Sequence, residues 1–130
     1  MADNGLKHIL YVEDDADIRT VAKISIEIVG GFELNSCASG MEAIQQVKNG
    51  YVPDLLLLDV MMPVMDGPTT LSELRKLKET ENTPVVFMTA KVQSVELEYY
   101  RNLGALGVIA KPFDPMALSD QINEMWARRQ

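Results

Sequence analysis

Five short β-like runs alternate with five helix-like segments along the chain. The strand candidates are His8 to Val12, Phe32 to Cys37, Leu55 to Leu58, Pro84 to Met88 and Gly107 to Ala110. Such alternation predicts an α/β fold built on a parallel sheet. Three of the runs, Ile9-Leu10-Tyr11-Val12, Leu55-Leu56-Leu57-Leu58 and Val85-Val86-Phe87-Met88, are continuously apolar. Continuous runs are expected where helices cover both faces of a sheet, so these strands are placed at its centre. Phe32-Glu33-Leu34-Asn35 alternates apolar with polar and is placed at an edge.

Between the first two strands, Ile18, Val21, Ala22, Ser25, Ile28 and Val29 recur at helical spacing, with Gly30-Gly31 as a stop. A capping box, Ser39 with Glu42 three residues on, opens a second helix that buries Ile44 and Val47 and ends at Asn49-Gly50. The third carries Leu71, Leu74 and Leu77 and runs out before Thr83-Pro84. A fourth spans Ser94 to Leu103 and stops at Gly104. In the fifth, Asp114 is the expected N-cap, Pro115 the first helical residue, and Leu118, Ile122 and Met125 the apolar stripe. Trp126 and the Tyr99-Tyr100 pair fit either the core or a partner surface.

Composition narrows the class of protein. At 130 residues, 47% hydrophobic and 24% charged, the chain has the size and balance of one packed domain, taken as 1–130 with a core of about 7–128. A net charge of -7 argues against direct binding of nucleic acid or of an anionic membrane, because Lys and Arg hold phosphate backbones. Cys37 is the sole cysteine, so no internal disulfide or cysteine metal site can form, which fits a reducing cytoplasm. The polar start Met1-Ala2-Asp3-Asn4-Gly5 leads into an apolar run too short for a signal peptide or a membrane span.

The chemistry lies where the strands end. In open α/β sheets, ligands bind outside the carboxyl ends of the strands. The first strand runs into Glu13-Asp14-Asp15, the third into Asp59, the fourth into Thr89 and the fifth into Lys111. Parallel strands bring all four ends to one edge. Clustered carboxylates repel one another unless a cation compensates, which implies a hard divalent metal, and magnesium takes carboxylate and phosphate oxygens. Asp14 and Asp59 are the expected direct ligands, with Glu13 acting directly or through water. Asp59 is then a nucleophile toward an activated phosphoryl donor, while Lys111 and Thr89 meet the phosphoryl oxygens. Asp15 reads as a charge at the start of the first helix. Pro63 and Gly67 shape the loop after Asp59, the eight methionines are mostly packing, and His8, at the opposite end of its strand, is not catalytic.

These residues, in this order, closely resemble the receiver domain of bacterial two-component response regulators. The resemblance rests on Tyr11-Val12-Glu13-Asp14-Asp15, on Asp59-Val-Met-Met-Pro63-Val-Met-Asp66-Gly67, on Phe87-Met88-Thr89-Ala90 and on Lys111-Pro112-Phe113. It implies a doubly wound, flavodoxin-like five-stranded sheet of order 2-1-3-4-5. It also implies Asp59 as phosphoacceptor, charged by a histidine kinase or histidine phosphotransfer protein. It assigns Glu13 and Asp14 as the paired metal acids, since Arg19 follows the second by five residues, and adds the Met61 backbone carbonyl as a Mg²⁺ contact and a cis peptide between Lys111 and Pro112. The expected function is that of a stand-alone, chemotaxis-regulator-like switch in a phosphorelay. It is not an enzyme beyond its own phosphorylation and dephosphorylation, it acts through a downstream partner protein, and it is a monomer or weak homodimer.

Three positions depart from that pattern or tune it. Many receivers carry an aromatic residue three positions before the lysine, where this chain has Val108. Without that ring, the signal is expected to travel by backbone shifts of the loop after Thr89 and of the fourth helix. Met61 and Lys91 flank the path of water to the phosphoryl group, which predicts a long-lived phosphorylated state. Two other readings compete: an unphosphorylated adaptor, which usually lacks one of the site residues, and a phosphohydrolase of the haloacid-dehalogenase kind, which needs an acid where Met61 stands.

Overall fold

The computed structural model describes residues 4–129; the ends Met1 to Asp3 and Gln130 lie outside the described residues. The strands are β1 (His8–Val12), β2 (Glu33–Cys37), β3 (Leu55–Asp59), β4 (Val85–Thr89) and β5 (Ala105–Ala110). The helices are α1 (Ala16–Ile24), α2 (Gly40–Lys48), α3 (Gly67–Leu74), α4 (Ser94–Asn102) and α5 (Leu118–Ala127). The strands form one parallel sheet in the order β2-β1-β3-β4-β5, as the resemblance implies.

Successive strand residues face opposite sides, and the continuous apolar runs feed two cores. Ile9, Tyr11, Leu55, Leu57, Val86 and Met88 pack with α1 and α5, the latter contributing Leu118, Ile122 and Trp126. Leu10, Val12, Leu56, Leu58, Val85 and Phe87 pack with α2, α3 and Tyr100 of α4. Every residue of β3 and β4 is buried, whereas β2 and β5 mix buried and part-exposed positions and form the edges.

Three helix expectations need correction. The stripe predicted for α1 is only partly the buried one. Ala22 and Ser25 are buried, but Ile26 takes the core position, while Val21 and Val29 are exposed and Ile28 is 78% exposed. For Ile28 and Val29 the cause is a π-helical turn over Ser25–Val29, closed by the bond from Gly30 N–H to the Ser25 carbonyl at 3.0 Å. One extra residue in a turn rotates everything after it and so resets the buried face. Ser25 then ties this turn across to α5: its hydroxyl donates to the Pro115 carbonyl, and its own carbonyl accepts from Ser119 Oγ at 3.0 Å.

The second correction concerns α5, which begins at Leu118 rather than at Pro115. Asp114 caps the preceding turn instead, accepting Met116 N–H at 2.9 Å through Oδ1. The third concerns Leu77, which lies beyond α3; that helix ends at Leu74, and the residue packs half-buried on the core from the turns that follow. The capping box of α2 does form, although Glu42 accepts Ala38 N–H at 3.2 Å rather than that of Ser39. Among the described residues no helix is long and apolar enough to cross a membrane.

Candidate functional site

The four strand ends converge as their chemistry requires. The β1–β2 ladder continues one residue past β1, through the bond from Glu13 N–H to the Cys37 carbonyl at 3.0 Å, and this fixes Glu13 inward at 1% exposure. Asp15 turns the other way and caps α1, accepting the N–H groups of Asp17 and Ile18 at 2.9 and 3.0 Å, the role its position predicts. Asp14, between them, is exposed. Arg19 reaches back from α1 and donates to the carbonyls of Glu13 at 2.7 Å and Asp14 at 3.4 Å. Sequence spacing used Arg19 only as a marker of register; here it clamps the backbone that carries both acids.

Asp59 ends β3 with 2% of its surface exposed. The bond from Val60 N–H to the Met88 carbonyl, at 2.9 Å, holds it from the β4 side. On the other side the first residue of α3 presses against it. A Cβ on Gly67 would lie 2.6 Å from the Asp59 carbonyl oxygen and 3.0 Å from Val60 Cα, so only glycine allows this approach. Asp66 caps α3 by accepting Thr69 N–H at 2.8 Å. Met61, two residues past Asp59, begins the intervening loop with an exposed side chain.

Carboxylate oxygens of Glu13, Asp14 and Asp59 lie within 4.8 Å of one another. From β5, Lys111 Nζ donates to Glu13 Oε1 at 2.8 Å and to Asp59 Oδ1 at 3.1 Å. Its peptide bond to Pro112 is cis. Thr89 is buried at the end of β4, where its hydroxyl accepts Lys91 N–H at 3.1 Å and its carbonyl accepts the N–H of Lys111 at 2.9 Å. A mainly apolar cavity of about 260 Å³ adjoins the cluster, lined by Asp17, Ile18, Val21, Lys111, Pro112 and Phe113.

The electrostatics follow from burial. Loss of water and then the nearby charge of Glu13 push the Asp59 carboxyl up to about 7, although Lys111 opposes both. Burial works to lower the Lys111 ammonium, but its hydrogen bonds to Glu13 and Asp59 prevail and hold it above its ordinary value. Three carboxylates thus face one ammonium, which leaves an excess of negative charge at a site of oxygen donors. That donor set fits a hard divalent cation such as magnesium.

Residues 9–123 match the family model of the response regulator receiver domain. The probable transcriptional regulator ycf29 of Porphyra purpurea is 35% identical over 121 residues, which cover 91% of this chain and 56% of that protein. The response regulator SaeR of Staphylococcus aureus is 32% identical over 123 residues, or 95% of this chain and 52% of that protein. The chain therefore spans about half the length of the curated relatives it matches. Among solved structures, the chemotaxis protein CheY4 of Vibrio cholerae superposes with a TM-score of 0.83 at 26% identity, covering 93% of this chain and 99% of that one.

Proposed function

The chain belongs to the response regulator receiver domain family, signalling modules of two-component systems, and from that premise we propose that Asp59 is its phosphoacceptor. The observation that carries this reading is a buried strand-end carboxylate held between two further acids and ion-paired to Lys111. In the proposed reaction an Asp59 oxygen attacks the phosphorus of a phosphohistidine on a kinase or phosphotransfer protein. An O–P bond forms, the P–N bond breaks, and the imidazole leaves with the electron pair. Lys111 stays beside the new negative charge, trading part of its contact with Asp59 for a phosphoryl oxygen, and Thr89 turns its hydroxyl proton to another.

Glu13, Asp14, Asp59 and the Met61 carbonyl are the groups that would hold magnesium. When bound, the ion supplies positive charge against the phosphoryl oxygens. The receiver unit is taken as about residues 7–128, and the setting as the cytoplasm. The output is a change in the surface formed by α4, β5 and α5, read by a downstream protein.

Incubation with acetyl phosphate and Mg²⁺ followed by intact-mass measurement tests this. One phosphoryl adduct is expected on the wild-type chain and none on Asp59→Ala. No adduct on the wild type, or the same adduct on the variant, overturns the assignment.

A further inference from the structure

The two edges of the sheet are guarded differently. β2 carries Glu33, Asn35 and Ser36, whereas β5 reads Ala105-Leu106-Gly107-Val108-Ile109-Ala110, without a charge or a proline. Charged side chains and prolines are what keep an exposed strand edge from pairing. Lys111 N–H bonds the Thr89 carbonyl, and main-chain groups alternate in direction along a strand, so the N–H and C=O of Val108 point away from β4. A groove of about 230 Å³ follows this open edge. Its floor is residues 105–108, and its walls are Leu97 and Arg101 of α4 and Met125 and Arg128 of α5. A Cβ on Gly107 would meet Met125 Sδ at 2.8 Å, so the glycine lets that flexible thioether lie against the strand. The two walls belong to opposite faces of the sheet, since α4 packs Tyr100 into one core and α5 packs Ile122 into the other.

Of the five arginines, Arg19, Arg75 and Arg129 donate to backbone carbonyls. The guanidiniums of Arg101 and Arg128 make no hydrogen bond or ion pair among the described residues, and both line this groove, one on each wall. In a chain of net charge -7 they are a local exception. Side chains of an extended segment point to either face in turn, so two consecutive carboxylates on an added strand meet Arg101 and Arg128 respectively. A guanidinium fork matches a carboxylate with paired N–H donors. A second copy of this chain is the poorer occupant, because pairing β5 with its counterpart crowds four such guanidiniums together. We infer that the β5 edge is a strand-addition site for an extended, acidic segment of a partner protein, held by main-chain bonds at Val108 and read by Arg101 and Arg128. Its role as an output rests on the surface proposed above; its chemistry rests on the groove.

The test uses the full chain and a synthetic, end-capped octapeptide that alternates valine with threonine around a central aspartate-glutamate pair. Two control peptides carry asparagine-glutamine in place of the acids, or N-methyl groups on alternate residues, which remove strand donors. Binding is followed by amide NMR, with and without prior acetyl phosphate and Mg²⁺, the adduct being checked by intact mass. The acidic peptide is expected to shift the β5 amides and protect Val108 N–H from exchange, and the N-methylated one to lose binding. Arg101→Gln and Arg128→Gln should each weaken the acidic peptide by about two- to fivefold and leave the asparagine-glutamine peptide unchanged. If the acidic peptide binds in neither state, or if either control binds as tightly, strand addition by an acidic segment is overturned and the Asp59 reading stands. Equal affinity with and without a verified adduct overturns the output role alone. A chain that takes no adduct overturns the phosphoacceptor reading, while binding to the unphosphorylated chain still decides the groove.

Discussion

β3 and β5 flank β4 in the same parallel sheet but are fastened differently. β3 is buried along its whole length, packed on both faces, and delivers Asp59 into a site where ladder bonds, Gly67 and Lys111 fix its position. β5 is half-buried except at Ile109 and Ala110, its register against β4 shifts between Val85 and Val86, and its neighbour α4 buries one side chain. The acceptor needs atoms that stay in place, because transfer geometry tolerates little displacement. The readout needs a segment that rearranges at small cost, and such segments are those with few buried contacts. Under the proposed function, one sheet meets both needs by placing chemistry at its centre and response at its edge.

The contrast can be broken most directly by matched truncations. Leu57→Ala at the centre should cost about 3–4 kcal/mol in urea unfolding, and Leu106→Ala on β5 about 1 kcal/mol, because Leu57 is fully buried and Leu106 only partly so. Equal costs would mean that the edge is as tightly held as the centre.

A smaller effect tests the electrostatic cost of the fixed acceptor. In metal-free protein, folded Asp59 binds its proton with a pKa of about 7, while the unfolded residue titrates near 4. The folded state therefore holds more protons through that window, and stability should fall as pH rises from about 4 to 7. Asp59→Asn removes this contribution. Measured in chelator, it should exceed wild type by on the order of 2 kcal/mol at neutral pH, with the difference vanishing as pH approaches 4. A difference that does not depend on pH would show that Asp59 carries no such burden.

The kinetic effect is smaller again. Met61→Asn places a polar group on the path of water and should shorten the phosphorylated lifetime by about three- to tenfold, or roughly 1 kcal/mol of barrier. Decay measured by intact mass, and already as fast in wild type, would refute the expectation of a long-lived state. Smallest is Val64, a β-branched residue at φ 69° in the loop after Asp59. Val64→Asn should gain about 0.5–1 kcal/mol by relieving that strain. No gain in chemical denaturation would mean the loop relaxes freely.

Much of the fixed centre is legible in the sequence, because its causes are local: continuous apolar runs mark β1, β3 and β4, and a charged or hydroxyl residue follows each. The edge is less legible because its causes are tertiary. Val108 signals that a ring is missing, whereas the burial of Tyr100 against the same cluster comes from another element and shows only when α4 is packed on the sheet. The widened turn at Ser25 leaves no trace in apolar spacing, so Ile28 reads as core although it faces out. Asp114-Pro115 carries the marks of a helix start, and an isolated turn uses the same capping chemistry. Arg19 serves in the sequence only as a marker of register until its guanidinium is seen on two backbone carbonyls.

The contact at Gly67 closes the loop that precedes it. Its N–H bonds the Val60 carbonyl at 2.9 Å, and its bare Cα rests on the backbone of Asp59 and Val60, so the segment from Val60 to Asp66 leaves the sheet and returns to nearly the same point. Strain or bulk added within it is confined by that closure. Val64, fully exposed within that closed segment, is therefore an attachment point for a fluorophore or affinity tag on the loop that follows Asp59.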